Sequence, residues 1–321
     1  MPLEDIEKIA EDTGFSGVVQ IDRAGEVEFA KAYGLANRAY RVPNTVDTRF
    51  GIASGGKGFT ALTVLSLVHE GALGLDTTAR SLLGDDLPLI ADDVTVEHLL
   101  THTSGIGDYL DEEGDWEAND YVMGAVHELT TTESFLPRLD GIPTKFKAGE
   151  RFGYCNGGYV VLALLAERAS GQSYHDLVRE RVLRPADMTR TDFLRSDELP
   201  GDAAVGYLDG MDRSNVFHLP VVANGDGGIH TTAGDMSKFW RTLFTRDDVD
   251  EFVRPRLDVP EESLRYGLGF WLHQTSDTVI LAGYDAGASF KSTHDPHTGT
   301  TITVLSNTAP GAWPIARALM S

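Results

Sequence analysis

The chain has 321 residues, enough for one large domain or two interleaved lobes with a substantial core. Its composition, 41% hydrophobic and 24% charged, is ordinary for a folded protein and excludes collagen-like, low-complexity and disordered classes. The formal charge is −22, from 27 Lys plus Arg against 49 Asp plus Glu, so nucleic acid and anionic membrane surfaces are not expected partners. The single cysteine, Cys155, excludes an intrachain disulfide and a thiolate zinc cluster.

The start of the sequence carries acids at Glu4 and Asp5 and lacks an apolar run of signal-peptide length. No later run reaches membrane-spanning length. The sequence therefore predicts a cytoplasmic location and no membrane partner. It contains no internal repeat and no Pro-rich or Ser-rich linker, which favours one compact unit over tandem modules.

The first part of the chain is predicted to combine a helix, a hairpin and a buried helix. The elements are a helix over residues 2–12, strands over 16–21 and 27–33 around a turn at 23–25, and a helix over 54–70. Apolar residues surround most of the last helix, which ends at Gly71. We therefore expect that helix to be buried on nearly all sides.

The middle of the chain is predicted to be helical and its end to be a sheet. The clearest helices cover residues 96–101, 121–129 and 158–169, the strands cover 266–273, 278–282, 288–294 and 300–306, and a short helix covers 313–320. Strands at both ends of the sequence predict one antiparallel sheet. We assign residues 1–75 plus 225–321 to this α/β lobe and residues 76–224 to an inserted helical lobe, with an active-site groove between them.

Ser54 and Lys57 open the predicted buried helix in the sequence Ser-Gly-Gly-Lys. At this spacing the hydroxyl and the ammonium share one helix face and can exchange a proton. A serine hydroxyl needs an adjacent base to become a nucleophile, and desolvation lowers the pKa of a lysine towards that role. The helix N-terminus also directs N–H groups at an oxyanion near Ser54. Taken alone, the pair is better explained as an N-cap serine beside a surface lysine.

Tyr154 and Asn156 lie just before the predicted helix 158–169, in a short loop where alternate residues face one way. A phenol whose pKa is lowered by a neighbouring ammonium can act as a general base. The amide of Asn156 can hold both the lysine and a substrate. The alternatives are a buried tyrosine bonded to a backbone carbonyl and an asparagine that caps the helix.

Together these motifs resemble the penicillin-recognising serine hydrolases, a family that includes class C β-lactamases, DD-peptidases, D-aminopeptidases and related esterases. The resemblance extends to VTVEHLLTHTSGI at residues 94–106, AGERFG at 148–153, DGGI at 226–229 followed by TTA at 231–233, and YGLGF at 266–270. It covers nearly the whole chain. It implies the α/β (α+β) fold of class C β-lactamases, an antiparallel sheet flanked by helices with an inserted all-helical lobe.

The resemblance also implies roles for individual residues. Ser54 would be the acylated nucleophile, Lys57 its proton partner, Tyr154 the general base and Asn156 a contact to the substrate amide and the lysine. The N–H of Ser54 and one N–H near Gly287 or Ala288 would form the oxyanion hole.

The expected activity is serine-dependent hydrolysis, through an acyl-enzyme, of a small ester, amide or short peptide. The expectation includes no cofactor and no metal, because His102, His218, His230, His294 and His297 lack metal-ligand spacing. A true β-lactamase or penicillin-binding DD-carboxypeptidase is one alternative. A non-catalytic binder or sensor on the same fold is another. The sequence leaves the oligomeric state open.

The chain departs from the family in the third motif, where Lys or His, then one residue, then Gly is expected. The sequence here is Gly-Tyr-Asp-Ala-Gly at residues 283–287. Matching Gly287 puts Asp285 at the cation position, and matching Gly283 puts Tyr284 there. In either register the cation that helps to hold a substrate carboxylate is missing, which argues against β-lactams and DD-peptidase substrates. Asp285 can instead cap a bend beside Gly287.

Seven acids lie between residues 108 and 120, in a region that borders the groove in the family. They are Asp108, Asp111, Glu112, Glu113, Asp115, Glu117 and Asp120, with Tyr109 and Trp116 among them. We hypothesise that these acids and Asp285 favour neutral or amine-bearing substrates over anions. The simpler explanation is a solvated loop.

Three further features receive structural explanations. His102 is expected to make a structural hydrogen bond, and Cys155 to be a packed thiol. The glycines Gly55 and Gly56 are interpreted as room for a bulky acyl group.

Overall fold

A computed structural model describes residues 3–112 and 119–320 of the protein. The helices are α1 (Leu3–Thr13), α2 (Lys57–His69), α3 (Ala79–Leu83), α4 (Val96–Leu100), α5 (Leu136–Leu139), α6 (Asn156–Ser170), α7 (Tyr174–Val178), α8 (Ala233–Phe244), α9 (Val249–Val253) and α10 (Ala312–Met320). The strands are β1 (Gly17–Arg23), β2 (Glu26–Tyr33), β3 (Leu35–Asn37), β4 (Val42–Pro43), β5 (Phe50–Gly51), β6 (His230–Thr231), β7 (Leu257–Val259), β8 (Leu264–Tyr266), β9 (Trp271–His273), β10 (Val279–Asp285), β11 (Ala288–Asp295) and β12 (Thr300–Ser306).

The main sheet has eight strands in the order β2-β1-β12-β11-β10-β9-β8-β7, and every neighbouring pair is antiparallel. The two ends of the chain meet at the β1–β12 pair, where Gly17 lies opposite Ser306 and Arg23 opposite Thr300. The predicted antiparallel sheet built from both termini is therefore confirmed.

Helices cover both faces of this sheet. On one face, Ile6 of α1 and Ile315 of α10 pack with Val19 and Val304 of the sheet in one apolar cluster. On the other face, α2 and α8 pack against Phe290 and the neighbouring strands in the larger cluster, which continues into α4 and α6. The two clusters lie on opposite faces because successive side chains of β1 and β12 point to opposite sides of the sheet.

Helix α2 is buried from Lys57 to Leu65, as its apolar circumference predicts. It packs against α6, which is itself buried from Asn156 to Ala166. The first residues of these two helices thus meet inside the protein, beside the edge of β10. This meeting point positions the candidate site.

Two predicted elements differ from the structure, and the sequence does not predict one of the helices. The prediction of a helix over 121–129 is wrong. Within this range only residues Val126–Glu128 are helical, as a 3-10 turn, and Gly124, with φ +83°, has a backbone conformation that a helix does not allow. The single strand over 266–273 is two strands, β8 and β9, because Gly269 (φ +85°) lies in a turn closed by the hydrogen bond from Gly267 N to Phe270 O. Helix α8 was not predicted, although Thr232 caps its start by accepting a hydrogen bond from Asp235 N.

The division into residues 1–75 plus 225–321 and residues 76–224 stays a prediction. Within residues 3–112 and 119–320, none of the helices is both long enough and apolar enough to span a bilayer.

Candidate active site

Ser54 lies in a 3-10 turn, Ala53–Gly56, that leads directly into α2. The residue before it, Ala53, has φ +44°, a conformation that costs a non-glycine residue about 1 kcal/mol or more. Two hydrogen bonds to a neighbouring segment hold this bend: Gly228 N donates to Ala53 O at 2.9 Å, and Ile52 N donates to Ile229 O at 3.1 Å. The bend leaves Ser54 half-buried at the groove.

Lys57 is buried and its ammonium donates three hydrogen bonds. The acceptors are Ser54 Oγ at 2.8 Å, Asn156 Oδ1 at 2.8 Å and the backbone carbonyl of Asp226 at 2.6 Å. An amide oxygen and a carbonyl oxygen can only accept, whereas a hydroxyl can also donate. Ser54 is therefore the one partner of these three that can pass a proton to Lys57. The alternative of a surface lysine is ruled out.

Asn156 is the first residue of α6, and its side chain joins the lysine to an acid of the groove. Its Oδ1 accepts from Lys57, and its Nδ2 donates to Glu112 Oε1 at 2.8 Å. Cys155 supplies the cap of this helix, because its Sγ accepts a hydrogen bond from Gly158 N at 3.3 Å. The alternative that Asn156 itself caps the helix is therefore wrong.

Asp108 is a buried carboxylate at the start of α6. It accepts hydrogen bonds from Asn156 N at 2.6 Å and Gly157 N at 2.9 Å. Burial raises the pKa of Asp108 to about 6, against the lowering effect of these N–H donors. Asp108 thus fixes the backbone that carries Asn156 and does not belong to a solvated acidic loop.

Tyr154 packs in an aromatic cluster, and its phenol lies beside Ser54. Its ring stacks on His102, with centroids 4.3 Å apart, and on Trp271, at 6.2 Å. Lys57 Nζ lies 4.9 Å from the ring centroid. Burial raises the pKa of Tyr154 well above its usual value, and the carboxylate of Glu112 raises it further. The prediction that the ammonium lowers this pKa is therefore wrong, and the phenol is protonated in the free protein.

His102 lies beneath Tyr154 and is buried. Its Nδ1 accepts a hydrogen bond from Cys155 N at 3.1 Å, which is the structural bond expected for it. Burial lowers the pKa of His102 well below its usual value, and the charge of Lys57 lowers it further. His102 is therefore neutral, with its proton on Nε2. Cys155 is a buried thiol whose pKa is raised by burial, as expected for a packed cysteine.

Gly55 and Gly56 do not make room for an acyl group. A Cβ on Gly55 would lie 2.5 Å from the Phe290 ring, and a Cβ on Gly56 would lie 2.9 Å from the Cα of Gly227. The glycines instead let the sheet and the segment at Gly227 approach the start of α2. That approach brings the carbonyl of Asp226 to Lys57, a contact that the sequence analysis missed.

The third motif, residues 283–287, begins where β10 contacts the 3-10 turn that carries Ser54. A Cβ on Gly283 would lie 2.8 Å from Ser54 N, so only glycine fits there. Tyr284 is 41% exposed and its ring lies 6.4 Å from that of Trp313. Asp285 faces the groove, and its Oδ1 accepts from Ala286 N at 3.0 Å, so it does cap the bend.

Asp285 has no cation bonded to it within the described parts of the chain. Burial raises the pKa of Asp285 to about 7, and the carboxyls of Asp226 and Glu112 contribute to this rise. Gly287 and Ala288 line the same groove as Ser54, which is the location expected of an oxyanion-hole strand. The role of either N–H as the second donor stays a prediction.

The groove divides at Ser54, Glu112 and Tyr284, which line both of its arms. One arm, here called the acidic arm, is bordered by the carboxyls of Glu112, Asp226 and Asp285 and otherwise by mainly apolar side chains: Leu110, Tyr121, Met123, Leu194, Leu199 and Leu219. The other, called the aromatic arm, is lined by Tyr154, Trp271, Tyr284, Lys291 and Trp313.

The acid run from 108 to 120 is only partly in this groove. Glu112 lines it, Asp108 is buried behind it, and Asp111 bonds to Lys145 at 2.7 Å on the surface. Tyr109 lies inside and donates a hydrogen bond to the Asp226 carboxylate. Glu113, Asp115, Trp116 and Glu117 lie outside the described residues.

An antiparallel sheet between helical layers, with a Ser-Lys pair at the edge of a strand, defines the class C β-lactamase-like fold. The Beta-lactamase family model matches residues 4–320, and the chain belongs to this family. The expected fold and family are thereby confirmed.

Named relatives and a solved structure agree with this membership. The chain is 28% identical over 305 residues to penicillin-binding protein 4* of Bacillus subtilis, covering 88% of this chain and 65% of that one. It is 32% identical over 283 residues to a D-aminopeptidase of Brucella anthropi, covering 82% and 50%. A penicillin-binding protein from Bacillus halodurans superimposes with a TM-score of 0.91 at 34% identity, covering 98% of both chains. The chain thus spans about half to two thirds of the length of these two curated relatives.

Proposed function

We propose that the protein is a serine hydrolase that cleaves esters or amides through an acyl-enzyme on Ser54. The observation that carries this proposal is the 2.8 Å contact between Ser54 Oγ and Lys57 Nζ. The other two hydrogen bonds of Lys57 go to the amide oxygen of Asn156 and the carbonyl of Asp226, which can only accept. Of its three hydrogen-bond partners, only the serine can give this lysine a proton. Family membership supports the same class of reaction.

The reacting form of Lys57 is the free amine, whose two protons bond to Asn156 Oδ1 and the Asp226 carbonyl. Its lone pair accepts the proton of Ser54 as Oγ attacks the substrate carbonyl. The bond to the leaving group then breaks, and the leaving group takes a proton from the phenol of Tyr154. The proton on Lys57 then passes to the Tyr154 oxygen, which leaves the acyl-enzyme with a neutral amine and a neutral phenol. Water next attacks the acyl carbon and gives one proton to Lys57. Lys57 returns a proton to Oγ as the bond between the acyl carbon and Oγ breaks, which releases the acid and restores Ser54. Because the pKa of Tyr154 is raised in the free protein, we assign it the role of proton donor and relay, in place of the resting general base that the sequence predicts.

The developing oxyanion is assigned to the N–H of Ser54, at the start of α2, and to a second N–H at Gly287 or Ala288. Each such donor contributes about 3 to 4 kcal/mol to the stabilisation of the transition state. Gly283 supports this assignment, because a side chain there would lie 2.8 Å from Ser54 N and would cover this donor.

The acidic arm indicates the character of the substrate group that enters it. Three carboxyls border it, and the cation that would hold a substrate carboxylate beside Ser54 is replaced by Tyr284 and Asp285. We therefore propose that this arm takes a neutral or amine-bearing group flanked by apolar surface. One relative is named D-aminopeptidase, and the substrate of an aminopeptidase carries a free amine.

A true β-lactamase or DD-carboxypeptidase is the second candidate, favoured by the relatives named penicillin-binding proteins. Its substrates carry a carboxylate near the scissile bond, which the acidic arm repels. A non-catalytic sensor is the third candidate and would be acylated without turnover.

Release of p-nitrophenol from a p-nitrophenyl ester, followed from the first seconds to many turnovers, tests the proposal. Continuous release by the wild type, and none by Ser54→Ala with an unchanged fold by circular dichroism, is the expected result. A stoichiometric burst that then stops would establish the sensor. Activity of Ser54→Ala close to that of the wild type would remove Ser54 as the nucleophile.

A further inference from the structure

The aromatic arm contains a lysine that the proposed reaction does not use. Lys291 is on β11, opposite Ala282 of β10. Strand alternation puts its side chain on the face shared by Ala282 and Tyr284, where Trp313 of α10 completes the wall. The arm that begins at Ser54 thus extends over this face to Lys291.

The ammonium of Lys291 makes no hydrogen bond or ion pair with any residue in 3–112 or 119–320. It is half-buried, and burial is the cause that lowers its pKa, with no carboxylate close enough to oppose this effect. The acids that line the same arm are Glu112, Asp258 of β7, and Glu261 and Glu262 of the turn that follows β7, and none of them is paired with Lys291. In a chain of charge −22, a half-buried lysine without an anion is unusual.

Apolar and aromatic surface separates this charge from the nucleophile. Trp271, Tyr284 and Trp313 line the arm, together with Ile280 and Ala282 of the sheet. Such a surface suits a hydrocarbon segment, and the cation of Lys291 suits one negative group. Arg151 also lines the arm, but its guanidinium stacks on the Phe146 ring and donates to the carbonyl of Phe152.

We propose that the aromatic arm is a subsite for a substrate chain that ends in a carboxylate, with Lys291 as the partner of that carboxylate. The inference rests on the proposed hydrolase function and deepens it by naming a substrate class. Lys291 points to the opposite face of the sheet from Phe290, whose ring lies against the turn that carries Ser54, so a substrate chain attached at Ser54 must pass around the edge of β10 to reach Lys291. The carboxylate must therefore be separated from the scissile carbonyl by several methylene groups. Lys291 is three residues along β11 from Ala288, the strand partner of Asp285, so a carboxylate bound to Lys291 lies away from Asp285.

The test compares two p-nitrophenyl esters of equal length: the monoester of octanedioic acid, whose far end is a free carboxylate, and its methyl-capped neutral form. The readout is the ratio of their kcat/KM values in wild type, Lys291→Met, Lys291→Arg and Lys8→Met. Lys8 is an exposed lysine of α1 outside the groove, so its substitution makes the same change in net charge. We expect wild type, Lys291→Arg and Lys8→Met to prefer the free carboxylate by about tenfold, and Lys291→Met to show a ratio near one.

A ratio near one in the wild type, or a preference that survives in Lys291→Met, overturns the subsite. A second measurement separates this outcome from failure of the hydrolase proposal. Calorimetry compares the binding of monomethyl octanedioate to Ser54→Ala and to the double variant Ser54→Ala, Lys291→Met. If neither ester turns over but binding depends on Lys291, the subsite stands and the hydrolase proposal fails. If binding does not depend on Lys291, the subsite fails whatever the activity.

Discussion

The imidazole of His102 stacks on the phenol ring of Tyr154, with centroids 4.3 Å apart and ring planes 29° apart. The same imidazole accepts the hydrogen bond from Cys155 N, the residue that follows Tyr154. The side chain of His102 therefore holds both the ring of Tyr154, the proposed proton relay, and the backbone next to it, without itself contacting Ser54. His102 is a positioning residue.

Two substitutions separate these contributions of His102. His102→Phe keeps a ring against Tyr154 but leaves Cys155 N unpaired, which we expect to lower the free energy of unfolding by about 1 to 3 kcal/mol. His102→Asn offers an oxygen to Cys155 N but removes the stacked ring, which we expect to lower kcat about tenfold or more with a smaller change in KM. Chemical denaturation and steady-state kinetics measure the two effects. Equal losses of stability and no loss of kcat in both variants would mean that His102 serves only the fold.

Replacement of Lys57 by methionine keeps most of the side-chain volume and removes the proton acceptor of Ser54. We expect kcat/KM for a p-nitrophenyl ester to fall by about a thousandfold or more. The variant also leaves the side-chain oxygen of Asn156 and the carbonyl of Asp226 without their donor, so thermal unfolding must be recorded alongside. A folded Lys57→Met protein with more than about a tenth of the wild-type activity would contradict the proposed role.

The carboxyl of Asp285 predicts a pH dependence for cationic substrates. Its pKa is raised to about 7, so it is protonated below that pH and charged above it. For an acyl ester bearing a permanently charged trimethylammonium group, we expect kcat/KM to rise as the pH increases through about 7, relative to a neutral ester of the same shape. In Asp285→Asn this relative rise should vanish. A relative pH profile that is the same in both proteins would show that Asp285 does not meet the substrate cation.

The same carboxyl predicts a pH dependence of stability. An unfolded chain releases the proton of Asp285 near its ordinary pKa of 3.8, whereas the folded protein keeps it up to about 7. Between these values the folded state binds more protons, so the contribution of Asp285 to stability falls as the pH rises through this window. Asp285→Asn, which cannot ionise, should therefore unfold at a higher temperature than the wild type at pH 8. The difference should shrink towards pH 4, and one that stays constant from pH 4 to pH 8 would exclude this linkage.

Local sequence patterns predict much of this site because its parts are close in the chain. Ser54 and Lys57 are one helical turn apart, and Tyr154 and Asn156 flank one residue before a helix. The contacts that complete the site connect distant segments. The carbonyl of Asp226 that binds Lys57 and the carboxyl of Glu112 that binds Asn156 follow from the packing of loops, which periodicity does not describe.

The incorrect predictions also come from contacts between segments that are distant in the sequence. The pKa of Tyr154 was predicted from its lysine neighbour, but burial and the carboxylate of Glu112 determine its direction. The space assigned to Gly55 and Gly56 is filled by Phe290 and Gly227, which come from strands and loops more than 150 residues away. A glycine in a sequence indicates a close approach but does not identify what approaches.

The intact mass of the protein after brief exposure to a fluorophosphonate tests the nucleophile assignment most directly, with a β-lactam in a parallel sample. We predict that the wild type gains the mass of one phosphonyl group, that Ser54→Ala gains none, and that neither forms a stable β-lactam adduct. Equal labelling of Ser54→Ala, or no labelling of the wild type, would contradict the assignment of Ser54. A stable β-lactam adduct on the wild type would contradict the exclusion of carboxylates by Asp285 and Glu112 and favour a penicillin-binding function.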